Sequence, residues 1–76
     1  GELIFTNLPL QEIARQLSNT FGVDISITDT ALQNYRITAR FSSEEGLDQI
    51  LDLLHTVGNF NYSYNNKEIT ITTKLN

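Results

Sequence analysis

The chain lacks cysteine, methionine and tryptophan, and its 76 residues include one proline and one histidine. Without cysteine there can be no disulfide framework, no zinc-finger spacing and no thiol nucleophile. A single histidine, His55, excludes a two-histidine metal site within the chain. No apolar run approaches the roughly 20 residues of a membrane span, and no signal-peptide pattern opens the sequence. We expect one small domain over residues 1–76, excised from a longer protein, with Gly1 as a tag remnant.

Basic residues are also scarce: five Lys and Arg stand against nine Asp and Glu, which gives a net charge of −4. Nucleic acid attracts clustered Lys and Arg because phosphates must be neutralised, so this balance disfavours a nucleic-acid partner. Contact with an anionic membrane surface is disfavoured for the same reason. Apolar residues make up 39% of the chain, which is enough for one compact core.

The first third of the chain predicts a brief strand at 3–5, followed by a helix. Pro9 fits the first helical turn, where a missing N–H costs nothing, and Asn7 is a candidate cap. Apolar residues then recur at the i, i+3, i+4, i+7 and i+11 spacing of an amphipathic helix. Gly22 follows at a position where a helix favours a left-handed residue. The apolar helix positions are Leu10, Ile13, Ala14, Leu17 and Phe21.

Two stretches that alternate apolar and polar residues, 23–28 and 35–41, predict half-buried strands. The segment 29–34 between them is predicted to be a loop or short turn anchored by Leu32. In the second stretch the alternation assigns four side chains to the core and three to solvent. The inward set is Tyr35, Ile37, Ala39 and Phe41, and the outward set is Arg36, Thr38 and Arg40.

A second helix is predicted to begin at Ser42, because Glu45 three residues later completes a capping box. Gly46 would then lie in the first turns, where glycine costs about 1 kcal/mol relative to alanine. Gly58 is expected to end the helix. The predicted buried stripe consists of Leu47, Ile50, Leu51 and Leu54, widened by Leu53 and Val57.

The last third predicts a β-hairpin with a two-residue turn at 65–66, because Asn tolerates a positive φ. All large apolar side chains of the hairpin then share the core face, so both of its tyrosines are expected inside. The resulting pairs are Tyr64 with Lys67, Tyr62 with Ile69, and Phe60 with Ile71.

The element order is therefore β-α-β-β-α-β-β, which is an α+β fold with two helices packed on small sheets. The pattern of residues 5–22 recurs about 36 residues later over 41–58, which predicts two βαβ-type units.

No residue pattern points to catalysis, to a cofactor or to a metal. His55 has no partner in the sequence and is expected near the end of the second helix, where the helix dipole favours a partly charged imidazole. Helix capping and solubility account for the carboxylates at 44, 45, 48 and 52. The glycines are too far apart to cradle a phosphate. We predict that the domain is not an enzyme.

The outward side chains of the strand 35–41 are the predicted partner-binding residues. Arg36, Thr38 and Arg40 place two positive charges on one polar face. The tyrosines beside Phe60 and these arginines also raise a nucleic-acid interpretation. The predicted core position of the tyrosines and the net charge oppose it.

The last strand, 68–73, is a second candidate, because an open sheet edge can accept a strand from a partner. Alternatively, charged residues guard that edge against unwanted pairing. These are Lys67, Glu68 and Lys74.

Several motifs occur in a characteristic order. In the first half they are FTNLPLQEIA (5–14), Leu17 and FGVDI (21–25). In the second half they are ITARF (37–41), EGLDQIL (45–51), FNY (60–62) and ITI (69–71). Over about residues 3–73 this order resembles the C-terminal domain of FecR-like anti-sigma factors of the Bacteroidetes type. The organisation is also similar to the short N-terminal domains of secretins and TonB-dependent receptors.

The resemblance implies a periplasmic, protein-binding domain of a membrane-anchored regulator in the inner membrane, without chemistry of its own. Its partner would be the signalling domain of a TonB-dependent outer-membrane transporter. A sigma factor would be reached only through other parts of the full-length protein. No cofactor, nucleic acid or membrane contact is implied for this domain.

Two alternatives remain open at the level of sequence. The same fold could be the N-terminal signalling domain of a TonB-dependent receptor or secretin, which the flanking sequence would decide. It could also be a small substrate-binding or glycan-binding module, for which exposed aromatic side chains would be expected.

Overall fold

The computed structural model describes residues 1–74, which form five strands and three helices. The predicted α+β class and element order are confirmed, with one short helix added between the second and third strands. In chain order the elements are β1 (Glu2–Pro9), α1 (Leu10–Phe21), β2 (Asp24–Ile27), α2 (Thr30–Gln33), β3 (Arg36–Ser42), α3 (Leu47–Gly58), β4 (Phe60–Asn65) and β5 (Glu68–Thr73).

The strands form two separate sheets. In the first, β1 pairs antiparallel with β3, and in the second the order is β2-β5-β4. Within that second sheet β2 runs parallel to β5, while β4 runs antiparallel to it. Each βαβ-type unit divides its two strands between the sheets, so α1 contacts β1 and β2, and α3 contacts β3 and β4. Both long helices therefore connect the two sheets.

One apolar cluster fills the space between the helices and the sheets. Both predicted helix stripes lie in it, and no polar side chain among the described residues is buried. The main stripe of each helix is thus confirmed, because its buried residues are positions that the periodicity assigned to the core. These residues are Leu10, Ile13, Ala14 and Leu17 in α1 and Leu47, Ile50, Leu51 and Leu54 in α3. The buried cluster is Phe5, Leu10, Ile13, Leu17, Ile37, Phe41, Leu47, Ile50, Leu51, Leu54, Phe60, Ile69 and Ile71.

The first strand is longer than the sequence predicts, because pairing with β3 continues past a bulge. The register shifts between Phe5 and Leu8, and Asn7 adopts a φ of 49° there. Pro9 is still extended, at φ −61° and ψ 141°, and precedes the helix instead of lying in its first turn. Asn7 is therefore a bulge residue, and the prediction that it caps α1 is wrong.

Two predictions about the ends of the following elements have different outcomes. Gly22 ends α1 in the left-handed region at φ 66°, as expected, and its N–H donates to the Ser18 carbonyl at 2.9 Å. The segment 29–34 is not a plain loop, because the Asp29 carboxylate accepts hydrogen bonds from the N–H groups of Ala31 and Leu32. Those bonds cap one helical turn, α2, whose Leu32 packs against the core.

The second long helix begins at Leu47 and not at Ser42, because Ser42 still pairs with β1. Of the two reciprocal bonds expected of the capping box, the one to the Glu45 carboxylate forms, in a separate turn before the helix, while the Ser42 hydroxyl accepts the N–H of Glu44 instead of that of Glu45. The Ser42 N–H donates to Oε2 of Glu45 at 2.8 Å, and the Glu44 N–H donates to Oγ of Ser42 at 3.1 Å.

Gly46 is the N-cap of α3, so the prediction that it lies inside the helix is wrong. Its backbone is extended, and its N–H donates to Oε1 of Gln49 at 2.9 Å. At the other end Gly58 is the last helical residue and Asn59, at φ 54°, is the left-handed cap. A Cβ on Gly58 would lie 2.8 Å from the Phe60 ring, so glycine permits this close approach.

Outside the hairpin, three side chains that were assigned to the core are substantially exposed. Leu53 and Val57 are 46% and 49% exposed, so they do not widen the α3 stripe. Tyr35 is 46% exposed because β3 begins one residue later, which places Tyr35 outside the strand alternation. Its carbonyl accepts the N–H of Leu10 at 2.8 Å.

The hairpin forms with its turn at 66–67, one residue later than predicted, and Asn66 has the positive φ of 57°. The pairing therefore shifts by two residues, so that Tyr64 faces Ile69 and Tyr62 faces Ile71. An even shift leaves every side chain on its predicted face. Burial nevertheless declines along β4 toward the turn, and Tyr64 is 49% exposed, so its predicted core position is wrong.

The last strand is not an edge. β5 lies between β2 and β4 and pairs with both, so the predicted open edge at 68–73 does not exist. The free edge of this sheet that neighbours α1 belongs to β2. Within residues 1–74 no helix combines the length and the apolar character needed to cross a membrane.

Candidate functional site

The three predicted partner-binding residues lie together on the outward face of β3. Arg36, Thr38 and Arg40 alternate with the buried Ile37 and are all exposed. The strand alternation that placed them there is confirmed. Whether a partner uses this face remains a prediction.

Two of the three side chains are held by the bulge in β1. Nη1 of Arg36 donates to the Asn7 carbonyl at 2.7 Å, and Oγ1 of Thr38 accepts the Asn7 N–H at 3.0 Å. The left-handed backbone of Asn7 turns both of its polar groups toward the side chains of β3. Arg36 and Thr38 therefore have fixed positions as well as an exposed surface.

The third residue, Arg40, has a different environment. It lies opposite Ile4 in the β1–β3 pairing, and Ile4 is 54% exposed. Among residues 1–74 the Arg40 guanidinium has no hydrogen-bond or ion-pair partner within the structure, since the one ion pair found there joins Arg15 to Glu12. An available cation beside an exposed isoleucine suits a protein surface that presents acidic and apolar groups.

Sequence reasoning missed Asn7 and Ile4 as members of this face. The signal for Asn7 was the break in alternation at Thr6 and Asn7, where two polar residues follow one another. Such a break at an Asn is compatible with a bulge, since Asn adopts positive φ more readily than most residues. Ile4 carried no signal, because its exposure depends on which strand it pairs with.

The lone histidine, His55, lies in the last turn of α3 and packs against Tyr62 of β4. β4 belongs to the second sheet, whereas the arginines lie on β3 of the first. The rings of His55 and Tyr62 meet edge to face with centroids 5.5 Å apart. The Tyr62 hydroxyl donates to Oδ1 of Asp52 at 2.7 Å. This hydrogen bond, together with partial burial, raises the pKa of Tyr62 from 10.0 to about 12.

This cluster is explained by packing between α3 and β4. His55, Tyr62 and Asp52 link the helix to the strand beside it, and the chain contains no second histidine. Within the described part of the chain, no three His, Cys, Asp or Glu side chains are grouped so that they could hold a metal ion.

Comparison with known proteins gives one family and one fold. The family model for the C-terminal domain of FecR matches residues 2–71. Two crystal structures of a proposed anti-sigma factor from Parabacteroides distasonis superpose with TM-scores of 0.85 and 0.86 at 15% sequence identity. In both cases 99% of this chain is covered, but only 35% of the other, so the chain spans about a third of those proteins. No curated protein matches the chain.

Proposed function

Because the chain belongs to the FecR C-terminal family, we propose that it is the periplasmic protein-interaction domain of a membrane-anchored, FecR-like anti-sigma factor. It receives a signal from a TonB-dependent transporter in the outer membrane, through that transporter's own signalling domain. The signal passes to a sigma factor through other parts of the full-length protein. The observation that carries this proposal is the family match over nearly the whole domain.

The surface chemistry of the domain supports a role in binding rather than catalysis. Among the described residues every polar side chain is exposed or only partly buried, and none is fully buried. A buried and perturbed cluster of titratable groups is the usual mark of a catalytic site. The proposed partner surface is the outward face of β3, where Arg36, Thr38 and Arg40 lie beside the exposed Ile4.

The arginine face makes the proposal testable by charge reversal. The double variant Arg36→Glu/Arg40→Glu should weaken binding to the transporter's signalling domain by roughly tenfold or more, because each substitution replaces an attraction with a repulsion. Isothermal titration calorimetry should be run against the signalling domains of the TonB-dependent transporters of the source organism.

A matched control carries the same change of charge elsewhere. In Lys74→Glu, compared with the single variant Arg40→Glu, the altered residue is exposed and lies beyond the end of β5. The control should bind as the parent does, and all of these variants should melt close to the parent's temperature. Equal affinity of the arginine variant and the parent would exclude this face, and binding to none of the signalling domains would overturn the proposed function.

A second candidate function, glycan binding, is supported by two exposed aromatic side chains. Tyr35 and Tyr64 are each about half exposed, which a glycan-binding module would use for ring stacking. A change in tyrosine fluorescence on addition of oligosaccharides would favour that function. The other alternative, a receptor or secretin signalling domain, is disfavoured by the family match.

A further inference from the structure

The edge strand β2 directs part of its backbone away from its sheet. The N–H of Asp24 donates to the carbonyl of Lys67, directly before β5, at 2.7 Å, and the N–H of Thr28 donates to the carbonyl of Ile71 in β5 at 3.1 Å. In a parallel ladder alternate residues bond the same neighbour, so Ile25 and Ile27 must point their N–H and C=O groups outward.

An independent contact supports this orientation. Nε2 of Gln33, on α2, donates to the Ile27 carbonyl at 2.8 Å from the outer side. Within residues 1–74, the N–H and C=O of Ile25 and the N–H of Ile27 have no hydrogen-bond partner. Unpaired groups in a row along an edge form a template for another strand.

There is room for such a strand beside β2. An open groove of about 410 Å³ lies between α1 and β2. On the helix side it is lined by small or flexible side chains, among them Gln11, Ala14 and Ser18. The side chains of an added strand that point inward would lie beside small or polar residues of α1 and beside Arg15, whose charge is paired with Glu12. β2 itself contains no proline or lysine that would block pairing.

The negative charge at the β2 edge favours an added strand that carries a basic residue. Asp24 lies directly opposite Glu68 of β5, and both carboxylates are exposed. Like charges at facing positions in a sheet are destabilising, so a Lys or Arg brought beside Asp24 would offset their repulsion. A second copy of this chain suits the edge poorly, because each copy carries a net charge of −4.

We infer that an extended segment of the transporter's signalling domain, with a basic residue placed beside Asp24, adds to β2 as a fourth strand of the β2-β5-β4 sheet. This inference rests on the proposed function and supplies a second contact for the same partner, separate from the arginine face. The added strand bonds the free groups of Ile25 and Ile27, and affinity comes from main-chain bonds while Asp24 contributes selectivity.

Amide hydrogen exchange followed by NMR tests the inference on the parent chain, alone and with each signalling domain. Without a partner, the amides of Ile25 and Ile27 should exchange fast and that of Ser26, which faces β5, slowly. In the complex, exchange at Ile25 and Ile27 should slow at least tenfold, with little change at Ser26.

A charge variant provides the second arm. Asp24→Lys should weaken binding at least tenfold, whereas Glu44→Lys, the same change of charge in the exposed turn before α3, should not. Asp24→Lys is expected to fold, since it removes the repulsion with Glu68.

The failures can be told apart. Binding of a signalling domain with unchanged exchange at Ile25 and Ile27 would overturn this inference and leave the proposed function standing. Binding to no signalling domain would overturn both. Protection of these two amides that grows with protein concentration in the absence of any partner would assign the edge to a second copy of the chain instead.

Discussion

The hydrogen bond from the Tyr62 hydroxyl to Asp52 shows how one residue can make stability depend on pH. The bond requires the protonated phenol, and the nearby carboxylate disfavours the phenolate, so the pKa of Tyr62 rises to about 12 in the folded chain. An unfolded chain ionises tyrosine near pH 10. The stability contributed by this bond is therefore present below about pH 10 and is lost as the pH rises toward 12.

We expect Tyr62→Phe to reveal this dependence. At pH 8 to 9 the parent should have the larger free energy of unfolding, and its advantage should shrink between about pH 10 and pH 12. Urea unfolding of both proteins across that range measures the difference, from which groups that titrate in both proteins cancel. An advantage that stays constant up to pH 12 would show that the phenol is not held in its neutral form.

At the scale of the element, the apolar stripe of α1 stabilises the packing of the two sheets against each other. Four of its residues are buried, and the helix contacts β1 in one sheet and β2 in the other. Loss of one large side chain from this stripe leaves a cavity in the core. The cost combines the lost transfer free energy with that of the cavity.

Leu17→Ala should cost about 2–5 kcal/mol of unfolding free energy. Because so small a domain has little stability in reserve, the variant should be largely unfolded at room temperature. Circular dichroism melts provide the measurement, with Thr20→Ala on the exposed side of the same helix as the control. A Leu17→Ala melt that matches the parent would contradict the assignment of this helix face.

At the scale of the whole molecule, β5 is the strand on which the second sheet depends. Both β2 and β4 pair with β5 and not with each other. The last strand in the sequence thus joins the end of the first βαβ-type unit to the end of the second. We expect this long-range pairing to make the two halves fold as one unit.

Thr70→Pro tests that cooperativity. Thr70 lies in the middle of β5 opposite Ser63 of β4 and Ser26 of β2, and proline cannot donate a ladder bond. Alternation along β5 directs the Thr70 N–H toward β4, so proline removes a bond to β4 directly. If the two halves fold as one unit, amide exchange should become fast in β2 as well as in β4. If only one of them lost protection, the two halves of the domain would be separable.

Several features followed from the sequence alone because their causes are local. Helix faces depend on spacings of three and four residues, and strand faces on alternation, so the buried stripes of α1 and α3 and the outward direction of Arg36, Thr38 and Arg40 could be predicted. Gly22 was placed correctly for the same reason, since a helix end is decided within one turn.

Tertiary structure decided whatever depends on residues far apart in the chain. Pairing with β3 lengthened β1, made Asn7 a bulge residue and left Ile4 exposed. The two-residue shift in the hairpin left every side chain on the same face, so the polarity pattern could not distinguish the two registers. Above all, the position of β5 between β2 and β4 moved the open edge from the end of the sequence to Asp24–Ile27. The alternation of apolar and polar residues determines which face of a strand is buried. The choice of neighbouring strands depends on backbone hydrogen bonds, and every residue type except proline offers the same backbone donor and acceptor.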